Sequence, residues 1–301
     1  MTTVDLIDRN GCPLCESEAF ATHLAFADIP VVRCTECGFL YSLKVLPEPE
    51  LASSYVEADP SPRHRQGQVV NARCNVRAIR KLLGGKWPES VLDVGAGYGF
   101  LLAELARRGV AETVGVELSR HDARFGREQL GVNVIDRPLS EASLESTRFD
   151  LVTAFEVIEH TSRPIAFLRE LEAYVRPGGY LLIATDNFDG RAARALGAAL
   201  PKWIPYSHIS HFTPATLARA VRQVPGLEVV DTISFTPWEL WMRMAWNRIR
   251  GHSVEASGVS GLGSASGGDR RETFRLFTVR KYLNPWWLSL TARRSGKGDL
   301  M

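Results

Sequence analysis

The sequence predicts an α/β protein, a doubly wound parallel sheet with helices on both faces, preceded by a small metal-bound unit. Three observations carry that prediction. One is the stretch Val91 to Phe100, an apolar strand that runs into a glycine turn and the start of a helix. Another is the alternation of short apolar runs with helical periodicity from there to residue 184. The third is a set of four cysteines near the N-terminus, arranged as two Cys-x2-Cys pairs.

Val91, Leu92 and Val94 form the kind of short apolar run that a strand covered on both faces requires. Gly95, Gly97 and Gly99 follow, and let the backbone turn sharply and approach a ligand closely. Leu101, Leu102, Leu105 and Ala106 then take up helical spacing, and the unsatisfied N–H groups of that helix face the turn. A dinucleotide fingerprint needs glycine at position 100, where Phe100 stands, so the spacing is Gly-x-Gly-x-Gly. Thr113 to Glu117 forms a second strand that ends in an acid, 24 residues after Asp93. An acid at that tip can accept both hydroxyls of a ribose. Phe149 to His160 is a third element of the same kind. Strands are expected near 90–94, 112–117, 132–135, 149–155 and 179–184, and helices near 68–84, 98–108, 119–130 and 164–175.

Taken as a set, Val-Leu-Asp-Val-Gly-Ala-Gly-Tyr-Gly (91–99), Gly-Val-Glu (115–117), Phe-Asp-Leu-Val (149–152), Glu-Val-Ile-Glu-His (156–160) and Arg-Pro-Gly-Gly (176–179) resemble the class I S-adenosylmethionine-dependent methyltransferases over roughly residues 68–281. The resemblance implies a Rossmann-like sheet of seven strands, six parallel and one antiparallel. Leu227 to Asp231 would begin strand six, and Phe274 to Val279 would be strand seven. It also implies an S-adenosylmethionine site. Gly95, Ala96 and Gly97 would lie beside the methionine end, and Asp93 would support the turn or meet the amino group. Glu117 would hold the ribose, Asp136 and Leu139 would lie near adenine, and Phe155 and Glu156 would face cofactor and substrate.

The four cysteines, Cys12, Cys15, Cys34 and Cys37, leave eighteen residues between the pairs, which is zinc-ribbon spacing. Each pair presents two thiolates on a tight turn, and four close the shell of a tetrahedral ion, so Zn2+ here is structural. Residues 1–45 make this unit, with strands around 31–33 and 39–41, and residues 46–67 form a proline-rich linker that opposes regular structure. Arg-Cys-x-x-Cys-Gly-Phe-x-Tyr (33–41) followed by a segment with prolines and tyrosine also resembles a subgroup of these methyltransferases in which that segment covers the active site. Tyr41 and Tyr55 occupy the comparable places. Cys74 lies in the expected helix and reads as packed.

Methyl transfer to a hydroxyl needs alignment and removal of a proton, and a neutral histidine suits the second task. Three candidates stand out: His160, closing Glu-Val-Ile-Glu-His, and His208 and His211 of His-Ile-Ser-His-Phe-Thr-Pro. In the family the latter segment lines the acceptor pocket, with Trp203 and Tyr206 beside it as an aromatic wall. Residues 237–250 read as a helical insertion whose apolar stripe is core, a lid, or a membrane-surface contact. Residues 251–270 are Gly/Ser-rich and read as a flexible loop, and 282–301 as a frayed tail.

The expected function is methyl transfer to an oxygen or carbon of a sugar, sugar nucleotide or natural-product scaffold. Methylation of ribosomal or transfer RNA is the second reading. It is disfavoured because between Cys12 and Cys37 only Arg33 faces Glu16, Glu18, Asp28 and Glu36. A scaffold with a degenerate cofactor fold is the third. With 36 Lys and Arg against 34 acids, the net charge of +2 supports no general nucleic-acid or membrane affinity. The acidic, weakly apolar stretch 1–10 does not read as a signal peptide and no run reaches membrane-span length, which points to a soluble cytoplasmic protein. No feature of the sequence sets an oligomeric state.

Overall fold

The computed structural model describes residues 5–26, 29–56, 62–144, 147–200, 202–234 and 287–294. The N-terminal unit contributes β1 (Ile7–Asp8), β2 (Phe20–Leu24), β3 (Val31–Cys34), β4 (Leu40–Ser42) and β5 (Lys44–Val45). Helices α1 (Glu48–Val56) and α2 (Pro62–Leu82) follow. The alternating region is β6 (Ser90–Val94), α3 (Phe100–Ala106), β7 (Glu112–Val116), α4 (Arg120–Phe125), β8 (Asn133–Ile135), β9 (Phe149–Phe155), α5 (Pro164–Tyr174) and β10 (Val175–Asp186). Then come α6 (Arg191–Leu196), β11 (Ser210–His211), α7 (Pro214–Arg222), β12 (Leu227–Ser234) and β13 (Trp287–Arg294).

The central sheet runs β12-β13-β10-β9-β6-β7-β8. Strands β10, β9, β6, β7 and β8 pair in parallel, and β13 is antiparallel to both β10 and β12. Successive residues of one strand point to opposite faces, and each face is covered. Leu92, Val152, Leu181 and Ile183 pack with Leu168 and Leu171 of α5 and Leu217 and Val221 of α7. Val91, Leu151 and Leu182 pack with Val76 and Ile79 of α2 and Leu101 and Leu105 of α3. Both faces therefore bury apolar side chains, at roughly 1.5–3 kcal/mol for each large one. On α3 the buried Glu104 is held by Arg73 of α2, at 3.3 Å, and by Arg107 and Arg108, which joins the two helices through charge.

Two expectations are corrected. The proline-rich linker is helical from Glu48 onward in its described parts. Pro49 falls in the first turn of α1 and Pro62 opens α2, positions where the missing N–H is not needed. The tail is not frayed over its described part: Trp287–Arg294 is the strand that covers the outer edge of β10. Its Leu-Ser-Leu-Thr run (288–291) alternates large apolar with small polar residues, as a half-covered strand does. The helix expected at 238–250, the loop at 251–270 and the strand at 274–279 lie outside the described residues.

The N-terminal unit is not a satellite. β11 adds to its sheet, giving the order β11-β4-β3-β2, with Ser210 opposite Tyr41 and His211 opposite Leu40. Gln223, which caps the end of α7, donates to the Leu14 carbonyl at 2.9 Å, and Cys12, Leu14, Phe39 and Tyr41 share one apolar cluster with Phe212 and Leu217.

Candidate active site

The chain passes from β6 through β7 and β8 on one side, then crosses back to β9 on the other. A crevice opens where the order reverses, outside the carboxyl ends of β6 and β9, and such switch points are where open sheets bind ligands. A cavity of about 640 Å3 lies there. Gly95, Val116, Glu117, Leu118 and Leu139 line one part; Glu156, Val157, His160, Ser162 and Phe167 line another; Glu48 and Leu51 of α1 and Gln68 of α2 complete the wall.

Gly95 takes φ +77°, and a Cβ there would stand 2.4 Å from Val157 Cγ2, so glycine is needed for both conformation and room. The turn amides are already used. Those of Gly95 and Ala96 donate to the Val116 carbonyl at 2.8 and 3.1 Å, and that of Gly97 donates to Glu117 Oε2 at 2.7 Å. What the turn offers is close approach, and the acceptor is Glu117, whose other oxygen takes the Ser119 N–H at 2.8 Å. Burial pushes the Glu117 carboxyl up, against those two donors, which favour its charged form. Asp93 is buried beneath the turn and accepts from the Thr153 hydroxyl at 2.6 Å, and burial lifts its pKa to about 7.

At the other end, Glu156 holds φ +57°, the left-handed region that a residue with a side chain enters only under constraint. Its N–H donates to the Ala184 carbonyl at 2.8 Å. Its carboxylate lies 3.5 Å from Lys202 Nζ, which is also 3.1 Å from Asp186 Oδ2. Burial pulls Lys202 down, but the charges of Glu156 and Asp186 outweigh it and raise the ammonium above its usual range. Burial, with the neighbouring Glu156 charge, lifts Asp186 to about 7 against Lys202. Glu159 is wholly buried, and burial with Glu156 and Asp186 holds its carboxyl well above the ordinary range.

His160 Nδ1 lies 2.8 Å from the Ser207 carbonyl. A carbonyl only accepts, so Nδ1 carries the proton and Nε2 is the basic nitrogen. Burial lowers the pKa of His160 and keeps it neutral. His208 stands edge-on to it, centroids 4.8 Å apart, with Nδ1 3.6 Å from Asp186 Oδ2; burial, His160 and Lys202 hold His208 neutral as well.

Several expected site residues lie elsewhere. His211 is fully buried against Phe188 and Trp203, at 4.6 and 4.8 Å, with neither ring nitrogen partnered among the described residues. Tyr41 is core, stacked on Phe39 at 6.3 Å. Trp203 donates to the Gly197 carbonyl at 2.9 Å and packs on Phe188, while Tyr206 is exposed. Phe155 packs with the cluster of Leu151 and Leu182, and Asp136 pairs with Arg127 at 3.2 Å. Tyr55 falls on α1, and its side chain lies outside the described set. Leu139, Glu117, Glu156 and His160 share the cavity. Lys202 and Asp186 were missed, although Asp186 ends β10 as Glu117 follows β7, an acid at a strand tip that the same logic could have found.

In the N-terminal unit the four cysteine sulfurs all lie within 4.8 Å of one another, with Cys12–Cys37 and Cys15–Cys34 at 3.5 Å. The residue after each pair takes positive φ: Gly38 at +75° and Glu16 at +63°, so Glu16 is the counterpart of Gly38. Burial raises the Cys34 thiol, but the Cys37 and Glu36 N–H groups outweigh it and hold it at about 7; burial pushes Cys37 up to about 11. Four converging sulfurs with N–H donors on them suit a tetrahedral thiolate-bound ion.

Known proteins place this architecture. A family described as a methyltransferase domain matches residues 55–232. A ubiquinone biosynthesis O-methyltransferase of Aeromonas salmonicida is 33% identical over 160 residues, covering 49% of this chain and 66% of that protein, just under two thirds of its length. One of Ruegeria pomeroyi is 33% identical over 199 residues, covering 59% of this chain and 79% of that protein. Among solved structures, a SAM-dependent methyltransferase of Thermotoga maritima shares the fold with a TM-score of 0.50 at 17% identity, over 77% of this chain and 95% of that one. The plantazolicin methyltransferase in complex with SAH does so with a TM-score of 0.50 at 16% identity, over 82% and 90%. With the family match spanning more than half of its length, the chain belongs to the class I S-adenosylmethionine-dependent methyltransferases.

Proposed function

We propose that the protein transfers the methyl group of S-adenosylmethionine to a hydroxyl oxygen of a small molecule, with a sugar, a sugar nucleotide or a natural-product scaffold as the acceptor class. The observation that carries this reading is His160. It lines the same cavity as Gly95 and Glu117, and with Nδ1 2.8 Å from the Ser207 carbonyl its Nε2 is the nitrogen that can take up a proton. The cofactor supplies an electrophilic methyl carbon. Glu117 holds the ribose hydroxyls, Leu118 and Leu139 give an apolar wall for the adenine, and the Gly95–Gly97 turn admits the methionine end. These groups fit because the turn carries no Cβ at Gly95 and the carboxylate already faces the cavity. His160 Nε2 would take the hydroxyl proton as the oxygen bonds to the methyl carbon and the sulfur–methyl bond breaks to release S-adenosylhomocysteine, and Glu156 would stabilise the resulting imidazolium, since its charge acts to raise the pKa of His160. Oxygen rather than carbon is favoured by the relatives, which are named O-methyltransferases.

A second activation route rests on Glu159, whose two buried carboxyl oxygens have no partner among the described residues. Glu159, His160 and His208 bring ligand-type atoms within 4.8 Å of one another, so a divalent cation there would activate the hydroxyl instead of a free base. The four cysteines hold a structural Zn2+. An RNA acceptor is disfavoured by the acidic N-terminal unit, and no helix among the described residues is long and apolar enough to cross a membrane.

Calorimetric titration of zinc-replete protein with S-adenosylhomocysteine tests the cofactor. Micromolar binding is expected, and its absence in folded protein leaves the scaffold reading standing. Screening of hydroxylated acceptors then separates the histidines. His160→Gln should lose about 100-fold or more in kcat with cofactor affinity kept, and a turnover of the parent chain that depends on added divalent cation selects the second route. His211→Phe should keep activity, because His211 sits in an aromatic cage away from the cavity.

A further inference from the structure

Glu156 lines the cavity, and Glu159 and Asp186 come up beside it. One oxygen from each of the three lies within 4.8 Å of the others, close enough for all three to share one cation. Glu159 is wholly buried, and neither of its oxygens has a hydrogen-bond partner among the described residues. Carboxyls this close repel one another, and burial strengthens the repulsion, so the place calls for positive charge.

The chain supplies that charge itself. Lys202 Nζ stands 3.1 Å from Asp186 Oδ2 and 3.5 Å from Glu156 Oε2. The next residue anchors the backbone that carries it. Trp203 Nε1 donates to the Gly197 carbonyl at 2.9 Å, its backbone N–H donates to the Leu200 carbonyl at 3.2 Å, and its ring packs on Phe188 at 4.6 Å. From that anchor the lysine stem, flexible and ending in a compact point charge, reaches two acids at once. The turn that follows is closed by the His208 N–H on the Ile204 carbonyl at 2.8 Å. It brings His208 back to the same oxygen, with Nδ1 3.6 Å from Asp186 Oδ2. The other grouping able to hold an ion, Glu159 with His160 and His208, has Glu159 in common with this cluster. A divalent ion there would sit beside the ammonium and be repelled by it.

We propose that Lys202 is a resident cation: its ammonium takes the place among Glu156, Glu159 and Asp186 that a divalent ion would otherwise fill, so methyl transfer in this cavity runs without one. The proposal rests on the reading of the cavity as a methyltransferase site, and it decides between the two activation routes given for that site. His160 acts as a free base, and no metal ligates the acceptor hydroxyl. Lys202 is then a positioning residue, which offsets the acids behind His160 and holds the Glu156 carboxylate in place. Removing its charge should turn a closed site into an open one for a hard cation.

The test titrates the full, zinc-replete chain with Mn2+ and reads the bound ion from loss of the free-ion electron paramagnetic resonance signal. Thiolates prefer zinc to this hard ion, so the signal reports on oxygen ligands. The parent should take up no equivalent of Mn2+, and its turnover should be the same with and without added Mg2+ or Mn2+. Lys202→Ala should bind one equivalent, at least ~100-fold more tightly than the parent, and adding Glu159→Gln to it should abolish that binding. Lys202→Arg, which keeps the charge, should behave as the parent. An equivalent of Mn2+ held by the parent and lost in Glu159→Gln overturns the proposal. So does a Lys202→Ala that binds no more ion than the parent. If Lys202→Ala does not fold, Lys202→Gln takes its place. If neither folds, the parent titration decides alone: no equivalent bound upholds the proposal, and one that Glu159→Gln removes overturns it. Calorimetry with S-adenosylhomocysteine on the same parent keeps the two failures apart. A parent that binds S-adenosylhomocysteine and also Mn2+ overturns the resident cation only, whereas a folded parent that does not bind S-adenosylhomocysteine overturns the methyltransferase reading beneath it.

Discussion

Single positions in the crevice separate geometry from chemistry. At Gly95 a methyl group would meet Val157 Cγ2 at 2.4 Å and would also occupy φ +77°. Gly95→Ala should therefore cost about 1–3 kcal/mol and weaken S-adenosylhomocysteine binding, and Val157→Ala in the same chain should restore part of both, as read by thermal melting and calorimetry. At Asp93 the argument concerns protons. Burial lifts its folded pKa to about 7, whereas an unfolded Asp titrates near 4. Between those values the folded state keeps a proton that the unfolded chain releases, so stability is greatest at the acid end and falls as pH rises through the window. The full penalty is on the order of 4 kcal/mol. Asp93→Asn, which still offers an oxygen to the Thr153 hydroxyl, should flatten the decline of the cofactor-free protein between pH 5 and 8. An unchanged slope would assign it to Asp186, which burial shifts in the same direction. Glycine turns and strand-tip acids could be read in the sequence because local conformation dictates their residue types. The split between His160 and His211 could not, because burial and the Ser207 carbonyl, 47 residues away in sequence, decide it.

At the level of elements, the metal unit and the crevice are joined by strand pairing rather than by a linker. β4 lies beside β11, the Ser42 N–H donates to the Ile209 carbonyl at 3.1 Å, and the Ser42 hydroxyl donates to the Pro205 carbonyl at 3.1 Å. Between those two carbonyls sits Ser207, whose own carbonyl orients His160. Loss of the metal should loosen β3 and β4, since a unit this small buries little on its own. Chelation should then lower kcat several-fold while S-adenosylhomocysteine affinity stays within about twofold, because Gly95, Glu117 and Leu139 rest on β6, β7 and the turn after β8. Equal loss of turnover and cofactor affinity would mean that the whole chain unfolds instead. The cysteine spacing made the metal unit legible. Its recruitment of β11 was not, because a two-residue strand carries no periodicity and forms only where a tertiary neighbour offers an edge. The prolines of 46–67 misled for a related reason: proline forbids a helix interior but is welcome in a first turn.

Across the whole molecule, the order of the sheet follows from the chain's alternation, and the crevice follows from the order. Val91 and Leu92, Leu151 and Val152, and Leu181 and Leu182 send neighbours to opposite clusters, which is why continuous apolar runs predicted a doubly covered sheet. The last strand escaped that logic. Its segment lies far in sequence from the strands it joins, and only the sheet itself shows that β10 needs a partner on its outer side. β13 pairs with seven residues of β10, from Tyr180 to Asp186, and also with β12, whose described residues pair with no other strand. Asp186, at the end of that register, is the acid that Lys202 and His208 approach. Ending the chain at residue 286 should therefore strip both neighbours of their hydrogen bonds, expose a long flat edge of β10, and promote self-association. The expected result is a lower and broader thermal transition with higher-mass species in size exclusion. Ending it after Arg294 should leave the transition unchanged, since β13 is then intact. If the shorter chain melted like the longer one, β13 would be dispensable to the sheet, and the acid cluster around Asp186 would have to be held from the β9 side alone.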